Sequence, residues 1–132
     1  MVKKLAVTIG TLAVFALMAY VLVSGGKPIN SDLSVIGQGK PVLVLAYENF
    51  SPVGGEALNL LRQVRDDFES QLDFVVAELG TPAGDGFASG YKMTDGMAVF
   101  LTSDGQPLRI INIPTGEREL RLRLESLLST AE

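Results

Sequence analysis

The sequence contains no cysteine, no histidine and no tryptophan among its 132 residues. Without cysteine, the chain has neither a disulfide nor a thiolate nucleophile, and it lacks the residue that is acylated in lipoproteins. Without histidine, it lacks the usual general base, the most common metal ligand and the side chain that titrates near neutral pH. Most familiar catalytic and metal-binding arrangements are therefore excluded.

Positive charge is scarce after residue 27. This part of the chain has 8 Lys and Arg against 15 Asp and Glu, which gives a net charge of −7. Phosphate groups are bound mainly by Lys and Arg, so we expect this part to bind neither nucleic acid nor anionic lipid. A length of 132 residues leaves room for one compact domain and an anchor.

Charge is absent altogether from Leu5 to Val23, a run of 19 residues. As a helix, this run would span about 28 Å, close to the hydrocarbon core of a bilayer. Lys3 and Lys4 precede it, and such basic clusters stay on the cytoplasmic side. The sequence predicts a transmembrane anchor over residues 1–26, in contact with the lipid bilayer through Leu5 to Val23. We expect a single-pass protein of the bacterial inner membrane with its C-terminal domain in the periplasm or outside.

A cleaved signal peptide is the alternative interpretation of the same segment. Signal peptides usually have a shorter apolar region that ends in a small-x-small cleavage site. The run here is longer, and Val23-Ser24-Gly25-Gly26 is a poor cleavage site. We therefore favour retention of the anchor, and a soluble periplasmic protein after cleavage is the alternative.

Residues 27–40 are predicted to be a linker with one helical turn, capped by Ser31, and residues 41–132 to be a folded domain. The domain begins with the continuous apolar run Val42–Tyr47, which is typical of a strand buried on both faces. From Gly55 to Gln71 the period changes to that of an amphipathic helix. Its apolar positions are Ala57, Leu60, Leu61, Val64, Phe68 and Leu72.

The second half of the domain is predicted to contain three strands, an irregular loop and a helix. Asp104 and Gly105 lie at the centre of a hairpin turn between the last two strands. A strand–helix–strand unit implies a right-handed crossover with parallel pairing, and the hairpin adds an antiparallel pair. The predicted fold class is α/β, with a mixed four-stranded sheet flanked by helices. The predicted elements are the strands Phe74–Ala77, Ala98–Thr102 and Leu108–Ile113, the loop Gly80–Gly90 with room for a short helix, and the helix Glu117–Leu128.

The order of elements and several short segments resemble the thioredoxin family over about Asp32 to Leu128. Gly39 to Val44 resembles the start of the family's central strand, and Tyr47 to Phe50 resembles the aromatic-rich approach to its active site. Ser51-Pro52-Val53-Gly54 occupies the place of the Cys-x-x-Cys motif, at the N-terminus of the long helix. Tyr91 to Gly105 resembles the family's later segment, which runs through the third strand into the hairpin.

The departures from the family are concentrated at its active site. Ser51 and Gly54 replace the two cysteines, and Met97 stands where the family has a cis-proline. Leu45 stands where many members bury a carboxylate. A hydroxyl cannot replace a thiolate in disulfide exchange. The resemblance is therefore to a degenerate member, and the redox activity of the family is not carried over to this chain.

The family's groove beside the helix N-terminus binds extended polypeptide. The resemblance thus implies a membrane-anchored, redox-inactive accessory subunit or assembly factor, without enzymatic activity, cofactor or metal. Its expected partner is an integral membrane protein complex or an exported polypeptide. The expected partner-binding residues are Phe50, Ser51, Pro52, Val53, Gly54, Asp95, Gly96 and Met97.

An exported enzyme with non-redox chemistry, centred on Ser51 and the Gly80–Gly90 loop, is the main alternative, and a chaperone-like protein is another. No histidine is present to activate Ser51, so we expect this residue or a neighbour to cap the helix. The Gly54-Gly55 pair is expected to serve a turn, with anion binding at the helix end as the alternative. Asp85 has too few oxygen ligands near it in the sequence for a calcium loop.

Overall fold

The computed structural model describes residues 29–131 of the protein. Strands and helices follow a single 3₁₀ turn at Leu33–Val35. The strands are β1 (Val42–Glu48), β2 (Asp73–Leu79), β3 (Met97–Leu101) and β4 (Pro107–Asn112), and the helices are α1 (Pro52–Phe68), α2 (Pro82–Gly90) and α3 (Glu117–Ala131).

The four strands form one mixed sheet in the order β2-β1-β3-β4. β1 pairs in parallel with β2 and antiparallel with β3, and β4 pairs antiparallel with β3. In this register, Leu45 of β1 lies between Val76 of β2 and Ala98 of β3. The predicted α/β class with a mixed four-stranded sheet is therefore confirmed.

β1 shows no alternation of apolar and polar residues because both faces of the sheet are covered. α1 and α3 pack against the face that carries Leu43, Leu45 and Phe100. α2 and the 3₁₀ turn cover the face that carries Val42 and Val44. All five side chains are fully buried. Burial of an aliphatic or aromatic side chain stabilises the folded state by about 1.5–3 kcal/mol, so β1 contributes to both halves of the core.

The segment Gly80–Gly90, predicted mainly as an irregular loop, forms the nine-residue helix α2. Thr81 caps this helix, because its Oγ1 accepts a hydrogen bond from the Gly84 N–H at 3.1 Å. Pro82 occupies the first helical position, where an N–H is not needed. Gly84 lies so close to the Glu78 backbone that a Cβ would overlap its carbonyl. Packing against β2 therefore outweighs the low helix propensity of the glycines.

The long helices differ from the prediction at their ends. α1 begins at Pro52 instead of Gly55 and ends at Phe68 instead of Gln71, whereas α3 continues to Ala131. Hydrophobic periodicity identifies the buried face of a helix, but the first and last turns depend on capping groups. The prediction was therefore correct for the existence of both helices and displaced by three residues at these bounds.

The cap of the 3₁₀ turn is Asp32, so the prediction of Ser31 was wrong. Asp32 Oδ1 accepts a hydrogen bond from the Ser34 N–H at 3.0 Å. Hydrogen bonds from the Ser34 hydroxyl and backbone N–H lower the pKa of Asp32. Both residue types are good caps, and a carboxylate offers more lone pairs than a hydroxyl to the backbone donors.

The predicted membrane anchor, Leu5 to Val23, lies outside the described residues. Between residues 29 and 131, no helix is both long enough and apolar enough to cross a bilayer. The anchor and the resulting topology remain predictions from the sequence.

Candidate functional site

Two segments that are distant in the sequence meet at one end of the sheet. The first, Phe50–Gly55, connects β1 to α1, and the second, Asp95–Met97, leads into β3. The Glu48 N–H donates a hydrogen bond to Asp95 Oδ1 at 2.8 Å and so joins the end of β1 to the second segment. We call the surface formed by residues 50–55 and 95–97 the rim. It contains all eight residues expected to contact a partner.

The Asp95 carboxylate is the centre of the rim. Its Oδ2 accepts hydrogen bonds from the Gly54 N–H at 3.0 Å and from the Ser51 hydroxyl at 2.5 Å, while Oδ1 accepts from Glu48. Gly54 lies in the first turn of α1, where backbone N–H groups have no partner within the helix. A carboxylate at this place satisfies one such donor and complements the positive end of the helix dipole. Asp95 is thus a cap supplied by a segment 41 residues away from Gly54.

Ser51 stands at the N-cap position of α1, yet its side chain makes no capping hydrogen bond. Its hydroxyl donates to Asp95 instead. The expectation that Ser51 or a neighbour caps the helix was therefore wrong, because the cap comes from across the rim. The hydroxyl is oriented by this hydrogen bond and contributes to holding the two segments together.

Gly54 is required by the close approach of Asp95. A Cβ at position 54 would overlap the Asp95 carboxylate and would lie 3.0 Å from Cδ2 of Tyr47. At Gly55, by contrast, a Cβ would meet nothing within 4 Å. The turn expected of this pair was wrong, because both glycines lie within the first turn of α1. The anion at the helix end is the chain's own carboxylate.

Phe50 and Val53 are the apolar side chains of the rim that project into solvent. Phe50 is 97% exposed and Val53 is 63% exposed. Phe50 has a φ of +66°, a left-handed conformation that is uncommon for residues other than glycine, asparagine and aspartate. In the tight connection between β1 and α1, Phe50 thus has an unfavourable backbone conformation, and its aromatic ring is exposed to water.

Gly96 allows the second segment to pass close to the first. Its φ is +87°, and a Cβ there would lie 2.8 Å from Cγ1 of Val53. The Gly96 N–H donates to the Ala46 carbonyl at 2.9 Å. Substitution at this position would therefore strain the backbone and displace an exposed apolar side chain.

Met97 and Leu45, two departures that the sequence resemblance predicted, differ in exposure. Leu45 is fully buried in the sheet, whereas Met97 is half-buried at the start of β3. The Thr94 N–H and hydroxyl approach the Met97 sulfur at 3.4 and 3.2 Å. Between residues 29 and 131 all peptide bonds are trans.

The other candidate segment, Gly80–Gly90, does not form part of the rim. Asp85 Oδ1 accepts a hydrogen bond from the Gly80 N–H at 2.8 Å, and the Thr81 hydroxyl donates to the Glu78 carbonyl at 2.7 Å. These contacts stabilise the start of α2. In the part of the chain that the structure describes, no group of three or more carboxylates has the geometry of a metal site.

The capping role of Asp95 was missed at the sequence level, although the residue was assigned to the rim. Local signals for a helix cap lie within a few residues of the helix start, and Ser51 matched them. Asp95 is 41 residues away from Gly54 in the sequence. The residues around the start of α1 therefore give no signal of its capping role.

Comparison with solved structures assigns the fold. A thioredoxin-like protein from Clostridium perfringens has a TM-score of 0.64 and 20% identity, over 76% of this chain and 82% of that chain. Trxlp from Edwardsiella tarda has a TM-score of 0.61 and 19% identity, over 74% of this chain and 96% of that chain. A thioredoxin from Thermus thermophilus has a TM-score of 0.66 and 16% identity, over 79% of this chain and 88% of that chain. No family model matches the sequence, and no curated protein matches it.

The protein therefore has a thioredoxin-like fold. It has no cysteine anywhere in the chain. The correspondence of Ser51 and Gly54 with the Cys-x-x-Cys motif stays a prediction from the sequence resemblance. The identities of 16–20% support the fold alone.

Proposed function

We propose that this protein is a membrane-anchored, redox-inactive thioredoxin-like protein that acts as an accessory subunit or assembly factor of a membrane protein complex. The observation that carries this proposal is the exposed pair Phe50 and Val53, beside a helix N-terminus occupied by Asp95. A free helix N-terminus lowers the pKa of a thiol or binds an anion. Here the Asp95 carboxylate occupies the helix N-terminus. The exposed side chains of Phe50 and Val53 remain available as a contact surface.

The absence of sulfur nucleophiles supports a role without redox chemistry. Disulfide exchange requires a thiolate that attacks a disulfide sulfur. The chain has four methionines and no cysteine, and a thioether cannot perform this step. The fold without the thiols is suited to binding, because the site and not the fold determines the activity.

The conformation of Phe50 supports binding through the rim. Strained backbone and exposed apolar side chains are found together at interaction sites, where a partner removes the apolar surface from water. The rim is also organised before binding, since Asp95 connects both segments through three hydrogen bonds. A surface that is already ordered loses less conformational entropy when it binds.

The test is co-purification from native membranes in mild detergent. We expect Phe50→Asp and Val53→Asp to lose the partner while the protein still accumulates, because a charge would be buried against an apolar contact. Leu122→Asp is the matched control, since Leu122 is an apolar residue of α3 with 57% exposure outside the rim. Equal recovery of the partner with the rim variants and with the control would contradict the proposal.

A non-redox enzyme centred on Ser51 is the competing function, and the hydrogen bond from Ser51 to Asp95 is the observation in its favour. A carboxylate can in principle accept the proton of a serine hydroxyl. Two lone pairs of Asp95 are already engaged by backbone N–H groups, which favours a capping role. We expect Ser51→Ala to complement a deletion strain, and loss of complementation by a folded Ser51→Ala protein would favour the enzyme.

The membrane anchor has its own test. We expect a reporter fused to the C-terminus to be active only when it is outside the cytoplasm, because Lys3 and Lys4 hold the N-terminus inside. The mature N-terminus should be that of the intact chain. A mature protein that begins near Ser24 would show cleavage of a signal peptide instead.

A further inference from the structure

Several carboxylates lie at the end of the sheet that carries the rim. Glu48 is the last residue of β1, two positions before the rim, and donates its N–H to Asp95. Glu56 is an exposed residue of α1, three positions after Val53. Glu78 of β2 is exposed and lies beside Tyr47 of β1 in the sheet register, at the same end of the sheet. With Asp95, four carboxylates therefore lie at this end of the sheet or in the first turns of α1.

Cations are scarce in the same neighbourhood. Residues 41–61 and 93–108 contain no Lys or Arg, and Lys92 is the cation that precedes Asp95 in its loop. The ion pairs found within residues 29–131 involve other carboxylates, such as Asp73 with Lys40 and Glu117 with Arg121. Glu48, Glu56 and Glu78 are thus not among the carboxylates of those ion pairs, whereas the charge of Asp95 is offset by its three donors and by the N-terminus of α1.

We infer that the rim binds a basic segment of its partner, in which Lys or Arg residues flank a large apolar side chain. This inference rests on the proposed function and specifies the chemistry of the partner. An acidic segment would meet like charges as it approached Phe50, whereas a basic one would be attracted and oriented. The apolar side chain covers Val53 and the edge of the Phe50 ring.

The exposed ring of Phe50 also favours a basic segment. An aromatic face attracts a Lys ammonium or an Arg guanidinium that lies over it. Since Phe50 is 97% exposed, its ring is accessible from solvent. The same side chain thus contributes apolar surface and a cation-binding face, and Glu48 and Glu56 provide the longer-range attraction.

The experiment uses the full chain in a nonionic detergent and three short fluorescent peptides of equal length. The first peptide carries Lys and Arg around a Leu-Phe pair, the second has Glu in place of the basic residues, and the third has Ser in place of the apolar pair. We expect the first to bind at least about tenfold more tightly than either of the others. We also expect its affinity to fall between low and physiological ionic strength, about 0.15 M.

A matched pair of double variants assigns the charge effect to the carboxylates beside the rim. Glu48→Gln with Glu56→Gln should weaken binding of the first peptide about tenfold. Asp104→Asn with Glu125→Gln changes the net charge equally, at the far hairpin and on α3, and should leave the affinity unchanged. Asp95 is kept in both because its carboxylate stabilises the rim.

Three results would overturn the inference: no binding of the first peptide at low ionic strength, equal binding of the basic and acidic peptides, or equal weakening by the two double variants. Failure of the proposed function is distinguishable from these. In that case Phe50→Asp and Val53→Asp would retain the native partner in co-purification. If the proposed function is right but the partner segment is not basic, Phe50→Asp and Val53→Asp lose the native partner. The double variant Glu48→Gln with Glu56→Gln then retains it.

Discussion

At the N-terminus of α1, three donors converge on the carboxylate of Asp95. Two of them are backbone N–H groups, of Glu48 and Gly54, and the third is the Ser51 hydroxyl. Hydrogen bonds to a charged acceptor contribute about 1.5–3 kcal/mol to stability, more than those between neutral groups. The half-buried position of Asp95 also means that its donors would be poorly hydrated without it.

We predict that Asp95→Ala lowers the free energy of unfolding by about 2–3 kcal/mol. Asp95→Asn should cost less, since the amide retains one acceptor oxygen. Ser51→Ala should cost about 0.5–2 kcal/mol, because it removes one donor and leaves both backbone contacts. Urea denaturation measures all three, and the double variant should be less destabilised than the sum of the single ones.

Strict additivity of Ser51→Ala and Asp95→Ala would show that the two side chains act independently. The hydrogen bond from the Ser51 hydroxyl to Asp95 would then contribute nothing to stability. Asp104→Asn is a suitable control, because Asp104 is an exposed carboxylate in the hairpin at the other end of β3.

At the scale of elements, α2 is a helix that depends on its packing. It contains three glycines in nine residues, a composition with low intrinsic helix propensity. Gly84 and Ala88 are buried against the sheet, whereas Gly86 is exposed. Glycine therefore permits close packing at position 84, whereas at position 86 it only weakens the helix.

We predict opposite effects of alanine at two glycines of α2. Gly84→Ala should destabilise the protein by about 1–3 kcal/mol, because the new Cβ would overlap the Glu78 carbonyl. Gly86→Ala should stabilise it by about 0.4–1 kcal/mol, since a Cβ there meets nothing within 4 Å and alanine favours the helix. Thermal or urea unfolding gives both values. A stabilising Gly84→Ala would mean that α2 lies farther from β2 in solution.

At the scale of the whole molecule, β1 is the connection between the two core layers. Its side chains alternate between the layer under α1 and α3 and the layer under α2. Phe100 of β3 lies beside Leu43 of β1 and is fully buried in the larger layer. Loss of packing in either layer should therefore affect the whole domain in one cooperative transition.

We predict that residues 28–132 fold alone as a soluble, monomeric domain with a single unfolding transition. Phe100→Ala should cost about 3–5 kcal/mol, through lost burial and the cavity that remains. Leu122→Ala should change stability by less than about 0.5 kcal/mol, because this side chain is largely exposed. Urea unfolding followed by circular dichroism tests both. A gradual transition of the unsubstituted fragment would contradict an independent domain.

The order of elements was predictable because each carries its own pattern. The apolar run of β1, the helical spacing in α1 and the Asp104-Gly105 turn are local features, and burial on both faces follows from them. Helix ends were less predictable, since caps and packing determine the terminal turns. The Gly80–Gly90 segment became α2 because Gly84 packs against the backbone of β2, a contact that propensity does not include.

For the rim, the sequence established the absence of thiols, the surplus of carboxylates and, through the resemblance, the two segments that meet. It did not establish the contacts between them. Asp95 caps a helix whose start lies more than 40 residues earlier, and Phe50 adopts a left-handed conformation in the tight connection from β1 to α1. The first depends on the register of the sheet, because the pairing of β1 with β3 brings Asp95 to the first turn of α1.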